Sequence, residues 1–220
     1  MSQRECDRPA WEPVLLGDWT TLIRGPLDLL RLSFAAGAAV FAFDGNFGIA
    51  ALLAITFAVA LVPRLLELPR PFDLAFLLAM SLQAWGNASS LFSDYGWYDT
   101  FVHFLLTLLA TPVVYLALAR LEVLPHPSAD ARRHQYVGVF IVAWMLGLGL
   151  EALNEIYEFS SDHLLGTALQ AGNVDTVTDL MASAVGAAIG AGLMVLWVRF
   201  GWTTTRRLPA RQLGDFLHTR

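Results

Sequence analysis

Charged and strongly polar residues are expelled from six apolar blocks, at about residues 28–44, 47–64, 72–89, 99–120, 136–159 and 175–199. Each block reaches the roughly 17 to 25 residues that a helix needs to cross the hydrocarbon of a bilayer. The pattern predicts an all-α, polytopic membrane protein: a bundle of six transmembrane helices and no soluble domain. Asp44-Gly45-Asn46, between the first two blocks, is a tight-turn signature, so these two read as a helical hairpin. The remaining chain divides into a cytoplasmic or interfacial segment 1–27, the six-span domain 28–200 and a cytoplasmic tail 201–220.

Composition agrees and removes other classes. The chain is 56% hydrophobic and 15% charged, with a mean hydropathy of +0.54, whereas soluble domains carry about 25% charged residues. A net charge of −5 argues against nucleic-acid binding, which rests on clustered basic residues. The single cysteine, Cys6, excludes an internal disulfide, and its juxtamembrane place reads as inert or as an acylation position. The stretch before the first block is polar and carries Arg4, Arg8 and Arg24, unlike a cleavable signal peptide, so the first block is expected to remain as an anchor. Trp11 to Gly25 reads as an interfacial helix or a plain linker.

The arginines orient the bundle. All 14 basic residues are arginines. They lie before or early in the first span (Arg4, Arg8, Arg24, Arg31), between the second and third (Arg64, Arg70), between the fourth and fifth (Arg120, Arg132, Arg133), and at the end (Arg199, Arg206, Arg207, Arg211, Arg220). Basic residues are retained on the cytoplasmic side, so both termini are expected there. The connections around residue 45, at 90–98 and at 160–174 contain no arginine or lysine.

Ionisable groups inside spans cost at least about 2.5 kcal/mol each at the bilayer centre and ask for a partner or a purpose. Asp99 and His103 are four apart at the start of the fourth span. Glu151, Glu155, Glu158 and Asp162 run in steps of four, three and four through the end of the fifth. Asp175 and Asp179 are four apart at the start of the sixth. Each set falls on one helical face, and the topology brings all three faces into the outer leaflet. The stripe on the fifth helix continues through Gly147 and Ala143, and Gly186-x-x-x-Gly190 on the sixth is a helix-packing pattern. Gln83 and Asn87, near the outer end of the third span, are candidate neutral ligands or hydrogen-bond partners that steady the ligands.

Seven carboxylates and one imidazole cannot all stay ionised together in low dielectric without a counter-charge. Either several acids are protonated or a divalent cation supplies the positive charge. The metal set is Asp99, His103, Glu155, Glu158, Asp162, Asp175 and Asp179, with Glu151 deeper and at its margin. Such a set suits Mg²⁺, Ca²⁺ or Mn²⁺, and is compatible with zinc or a di-iron pair. The plainer readings are helix capping for Asp99 and Asp175 and solvated loop acids for Glu158 and Asp162. His126, His134, His163 and His218 read as interfacial or loop residues.

Tyr98-Asp99-x-x-x-His103-Phe104, Glu155-Ile-Tyr-Glu158-Phe159 followed by Asp162 and Gly166-Thr167, and Asp175-Thr176-x-x-Asp179-Leu180 leading to Gly186-Ala187 resemble the YjdF-like family of bacterial inner-membrane proteins, over residues 95–190. Asn154 and Thr107 stand where the family pattern has an aromatic residue and a glycine. The resemblance implies a six-span inner-membrane protein whose acid and histidine motifs belong together, and it supplies no reaction. Three classes of function remain open. A metal-dependent enzyme would act on a lipid or small apolar substrate, a transporter or channel would couple to ions or protons, and a non-catalytic subunit or assembly factor would use the cluster for structure. No Gly-x-Ser-x-Gly nucleophile motif favours the first, and neither an inner polar pathway nor inverted repeats favour the second.

Overall fold

A computed structural model describes residues 26–66, 68, 70–127, 131–166, 169, 170 and 172–200. Cys6, the segment Trp11–Gly25, Thr167 and the tail with Arg206, Arg207, Arg211, His218 and Arg220 lie outside the described residues. Among the described residues the chain is all-helical. The elements are α1 (Pro26–Phe43), α2 (Phe47–Ala60), α3 (Val62–Leu65), α4 (Arg70–Ala88), α5 (Leu91–Asp94), α6 (Tyr98–Arg120), α7 (Arg133–Leu165) and α8 (Asn173–Arg199).

All six apolar blocks are helical. Five candidate spans combine sufficient length and hydropathy: α1, α2 with α3, α6, α7 and α8. The third block, α4, is a helix of 19 residues but carries Arg70, Asp73, Gln83 and Asn87, which dilute its apolar character. The protein is therefore a multi-pass membrane protein.

Two compact units emerge. In the first, built on residues 26–77 and 116–126 among those described, α1 and α2 pack as the hairpin expected from Asp44-Gly45-Asn46. Gly45 takes φ +77°, a conformation that glycine reaches without steric cost. Asn46 then caps α2 by accepting a bond from the Ile49 amide, 3.3 Å. Phe34, Leu53 and Ala60 form the dry interior. Arg31 is buried among them, 2% exposed, and every arm of its guanidinium is engaged. Nη1 donates to Asp28 at 2.9 Å, Nε donates to the Ala60 carbonyl at 2.9 Å, and Nη2 donates to Asp73. Arg64 pairs with Asp28 at 3.3 Å. Two arginines and two aspartates thus neutralise one another, which is how charge persists in an apolar interior. The arginine pattern along the chain places Arg31 near the first span and gives no hint of this network.

The second unit, among the described residues, is built on 78–115, 127, 131–166, 169, 170 and 172–200, and in it α7 packs against α8. Small residues set the spacing. A Cβ at Gly186 would overlap the Phe104 carbonyl and the Thr107 hydroxyl, one at Gly190 the Leu108 carbonyl, and one at Gly147 the Thr111 hydroxyl and Ala187. Gly186-x-x-x-Gly190 is therefore the face that lets α8 lie directly on α6. Trp144 locks α7 to α8 by donating to the Ala184 carbonyl at 3.0 Å. The opposite faces, including Leu153 and Ile156 on α7 and Val177, Met181 and Val185 on α8, are exposed, as lipid-facing surfaces are.

Helix α7 runs to Leu165, 33 residues in all, or about 50 Å at 1.5 Å per residue. It outlasts the predicted span and carries Glu158 and Asp162 on the helix, as the stripe of acids expects, and not in a loop. It ends where Gly166 adopts φ +68°, a left-handed cap of the usual glycine type.

Candidate functional site

The start of α6 is held before any site residue is placed. Tyr98 donates its hydroxyl to the Leu82 carbonyl at 2.8 Å. Its ring meets Phe92 edge-on with centroids 4.9 Å apart, in space that a Cβ at Gly86 would fill. This anchor sets where Asp99 and His103 enter the unit. His103 is 2% exposed. Its backbone carbonyl accepts bonds from Thr107 (2.8 Å) and from Ser183 on α8 (3.2 Å).

The imidazole is the hub. Nε2 lies 3.1 Å from Asp99 Oδ1, one turn back on the same helix, and Nδ1 lies 2.5 Å from Glu151 Oε1 on α7. Two groups of possible metal donors share this ring: Asp99, His103 and Asp179, and His103, Glu151 and Glu155. In each, one donor atom per residue lies within 4.8 Å of the others. Two donors bound to one cation at about 2.0–2.5 Å can lie at most about 4–5 Å apart.

Two oxygens in these groups lack a partner. Glu155 Oε1 and Asp179 Oδ1 are buried and without any hydrogen bond, in residues 5% and 2% exposed. Burying a carboxylate oxygen unsatisfied is costly. Glu155 Oε2 does have a partner, the Gln170 amide at 3.2 Å, and the same amide reaches the Glu155 carbonyl and Thr176 Oγ1.

Of the sequence-predicted residues, Asp99, His103, Glu155 and Asp179 come together, and Glu151, at the margin of the expected set, is in direct contact with the hub. Glu158 is engaged by the Asn154 amide at 2.9 Å, so the residue that departs from the family pattern holds one of its acids. Asp162 accepts bonds from the amides of Leu169 and Gln170 at 2.8 and 3.0 Å. It shapes the connection that delivers Gln170 to Glu155. Asp175 lies in the first turn of α8. None of these three falls in a donor group among the described residues. Asn87 turns its amide back to the Gln83 carbonyl at 3.0 Å. His163 stacks on Phe159 with centroids 4.1 Å apart.

Gln170 carries no signal in the sequence. No periodicity marks it, because it sits in the connection between two helices, and only the fold of that connection puts its amide on Glu155. Glu151 is undervalued by sequence spacing for a different reason: its depth separates it from His103 on paper, yet its side chain closes that gap.

No curated protein and no solved structure matches the chain. Residues 29–200 match the family described as predicted membrane protein (DUF2238). That match takes in almost the whole of the five candidate spans and every residue of the histidine-centred cluster, and it agrees with the YjdF-like resemblance. The chain belongs to this family of predicted membrane proteins.

Proposed function

We propose that the second unit binds one divalent cation, with Asp99, His103 Nε2 and Asp179 as its protein ligands, in a bacterial inner-membrane enzyme acting on a lipid or small apolar substrate. The observation that carries this reading is the pair of buried, unpartnered carboxylate oxygens on either side of a histidine whose two nitrogens both face carboxylates. A cation satisfies Asp179 Oδ1 and balances the charge that the fold confines there.

The two nitrogens divide the work. Glu151 accepts the Nδ1 proton, which fixes the tautomer and turns the Nε2 lone pair toward Asp99 and Asp179, the carboxylate–histidine–metal arrangement. Mixed oxygen and imidazole donors suit Mn²⁺, Fe²⁺ or Zn²⁺ better than Ca²⁺. A bound cation would polarise a substrate oxygen or acidify a bound water. Glu155, with one oxygen unengaged and the other steadied by Gln170, is positioned to accept a proton. The Asp99 side chain is 26% exposed, and Tyr95, Trp97 and Phe101 beside it are exposed aromatics. An apolar substrate approaching from the membrane interface would meet these rings first.

Elemental analysis of protein purified without added metal tests the proposal directly. It should find about one divalent ion per chain, removable by chelator with a fall in melting temperature. Metal-free protein that takes up none on addition would overturn it and leave protonated acids as the account of the cluster.

A further inference from the structure

The other end of the α7–α8 pair carries a second feature, independent of the histidine cluster. Between the first two turns of α7 and the last two of α8 lies an apolar groove of about 410 Å³, lined by Val137, Phe140, Val195 and Leu196 with Arg133 and Arg199 at its rim. It continues into a more polar cavity of about 620 Å³ bounded by Ala131, Arg133, Tyr136 and Arg199. Arg133 and Arg199 are exposed, and among the described residues neither forms an ion pair. Gly192 is part of the lining, and a Cβ there would meet nothing nearer than Phe140 Cε2 at 4.0 Å, so a larger side chain has room to occupy the groove.

We infer that this groove holds an anionic phospholipid, its phosphate between Arg133 and Arg199 and the first part of an acyl chain along Phe140 and Gly192. Charge complementarity selects this occupant. Guanidinium groups bind phosphate oxygens in pairs, and the apolar lining begins one turn inside the arginines and continues for a second, about 11 Å of depth. Both helices are candidate membrane spans, so this end lies where a bilayer presents its headgroups above its chains. Basic pockets between transmembrane helices are a recognised form of lipid site.

The test is native mass spectrometry of the full chain released from nanodiscs containing equal phosphatidylglycerol and phosphatidylcholine with identical acyl chains. Wild type should retain phosphatidylglycerol preferentially. Replacing both arginines, Arg133→Gln with Arg199→Gln, should reduce that preference on the order of 10- to 30-fold. Gly192→Leu should reduce retention of both lipids by filling the floor, with helix content by circular dichroism unchanged in either variant. Equal retention of the two lipids by wild type, or a preference that survives the double replacement, overturns the inference. So does stabilisation by inorganic phosphate alone in phosphatidylcholine nanodiscs, which would make this a small-anion site. Absence of retained lipid from wild type overturns it as well.

Discussion

At the scale of single residues, the cluster poses one question that substitution answers: which of the two donor groups around His103 takes the cation. Asp179→Asn keeps the shape of the side chain and removes a ligand charge, so it is expected to lower metal affinity by at least tenfold. It should also abolish the difference in melting temperature with and without chelator, since binding free energy stabilises the folded state. Glu155→Gln keeps a neutral oxygen at the unpartnered position and lies outside the ligand set, so metal content by elemental analysis is expected to stay near that of wild type. Equal loss in both variants would instead assign the cation to His103, Glu151 and Glu155. If Asp179→Asn is silent or stabilising, the carboxyl is a neutral hydrogen-bonding group and the metal reading fails. Helical spacing makes Asp99, His103, Glu155 and Asp179 legible in the sequence, because steps of three and four put each on an inward face. Spacing treats every acid on a stripe alike, however. It does not separate Glu155, beside the hub, from Glu158 and Asp162, whose oxygens are engaged by Asn154 and by two loop amides.

At the scale of elements, glycines rather than acids determine how closely the site can assemble. Gly186 is on the same face of α8 as Asp179 and Ser183, all buried. A methyl group there would strike the Phe104 carbonyl, next to His103 on α6. Gly186→Ala is therefore predicted to push α8 from α6 at a cost of about 1–3 kcal/mol and to lower metal affinity through Asp179, although no ligand has changed. A melting shift without loss of metal would mean that α8 pivots about this contact and leaves Asp179 in place. The Gly186-x-x-x-Gly190 pattern is readable in the sequence, as are the hairpin turn at Gly45 and all six helical blocks. The length of α7 is not, because apolar periodicity fades at Phe159 while the helix persists to its glycine cap at Gly166. The Arg31 network is also hidden. Asp28 and Arg31 are one turn apart on α1, but Asp73 is 42 residues beyond Arg31, and only the fold brings it to them. Removing Arg31 alone, as Arg31→Met, strands Asp73 in a buried place and should cost roughly 3–5 kcal/mol. Pairing it with Asp73→Leu should recover most of that loss in thermal denaturation, and a double variant no better than the single would show that the Ala60 contact, not the charge balance, is what matters.

At the scale of the whole molecule, the arginines predict the side of the membrane on which the cluster opens. Arg64, Arg70, Arg120, Arg132, Arg133 and Arg199 flank the ends of helices on what the positive-inside rule makes the cytoplasmic face. The connections 90–98 and 160–174 hold no arginine or lysine. Asp99 lies in the first turn of α6 just after the first of these connections, and Asp179 about two turns into α8 just after the second, so the topology decides the side on which the site opens. Labelling single cysteines in a chain carrying Cys6→Ser decides the matter. Ser93→Cys and Asn173→Cys, both at exposed positions, should react with an impermeant maleimide added to intact cells or right-side-out vesicles. Ala129→Cys should react only after the membrane is opened. Gly172 would be the worse probe, because its φ of +120° strains any side chain placed there. Reaction at Ala129 with protection of the other two would invert the protein and move the cluster to the cytoplasmic leaflet. Its substrate and metal would then be drawn from the cell interior, while the local chemistry around His103 stayed as described. Reaction at Ser93 without Asn173 would be more damaging. It would place the starts of α6 and α8 in different leaflets, which the 3.2 Å bond from Ser183 on α8 to the His103 carbonyl on α6 does not allow.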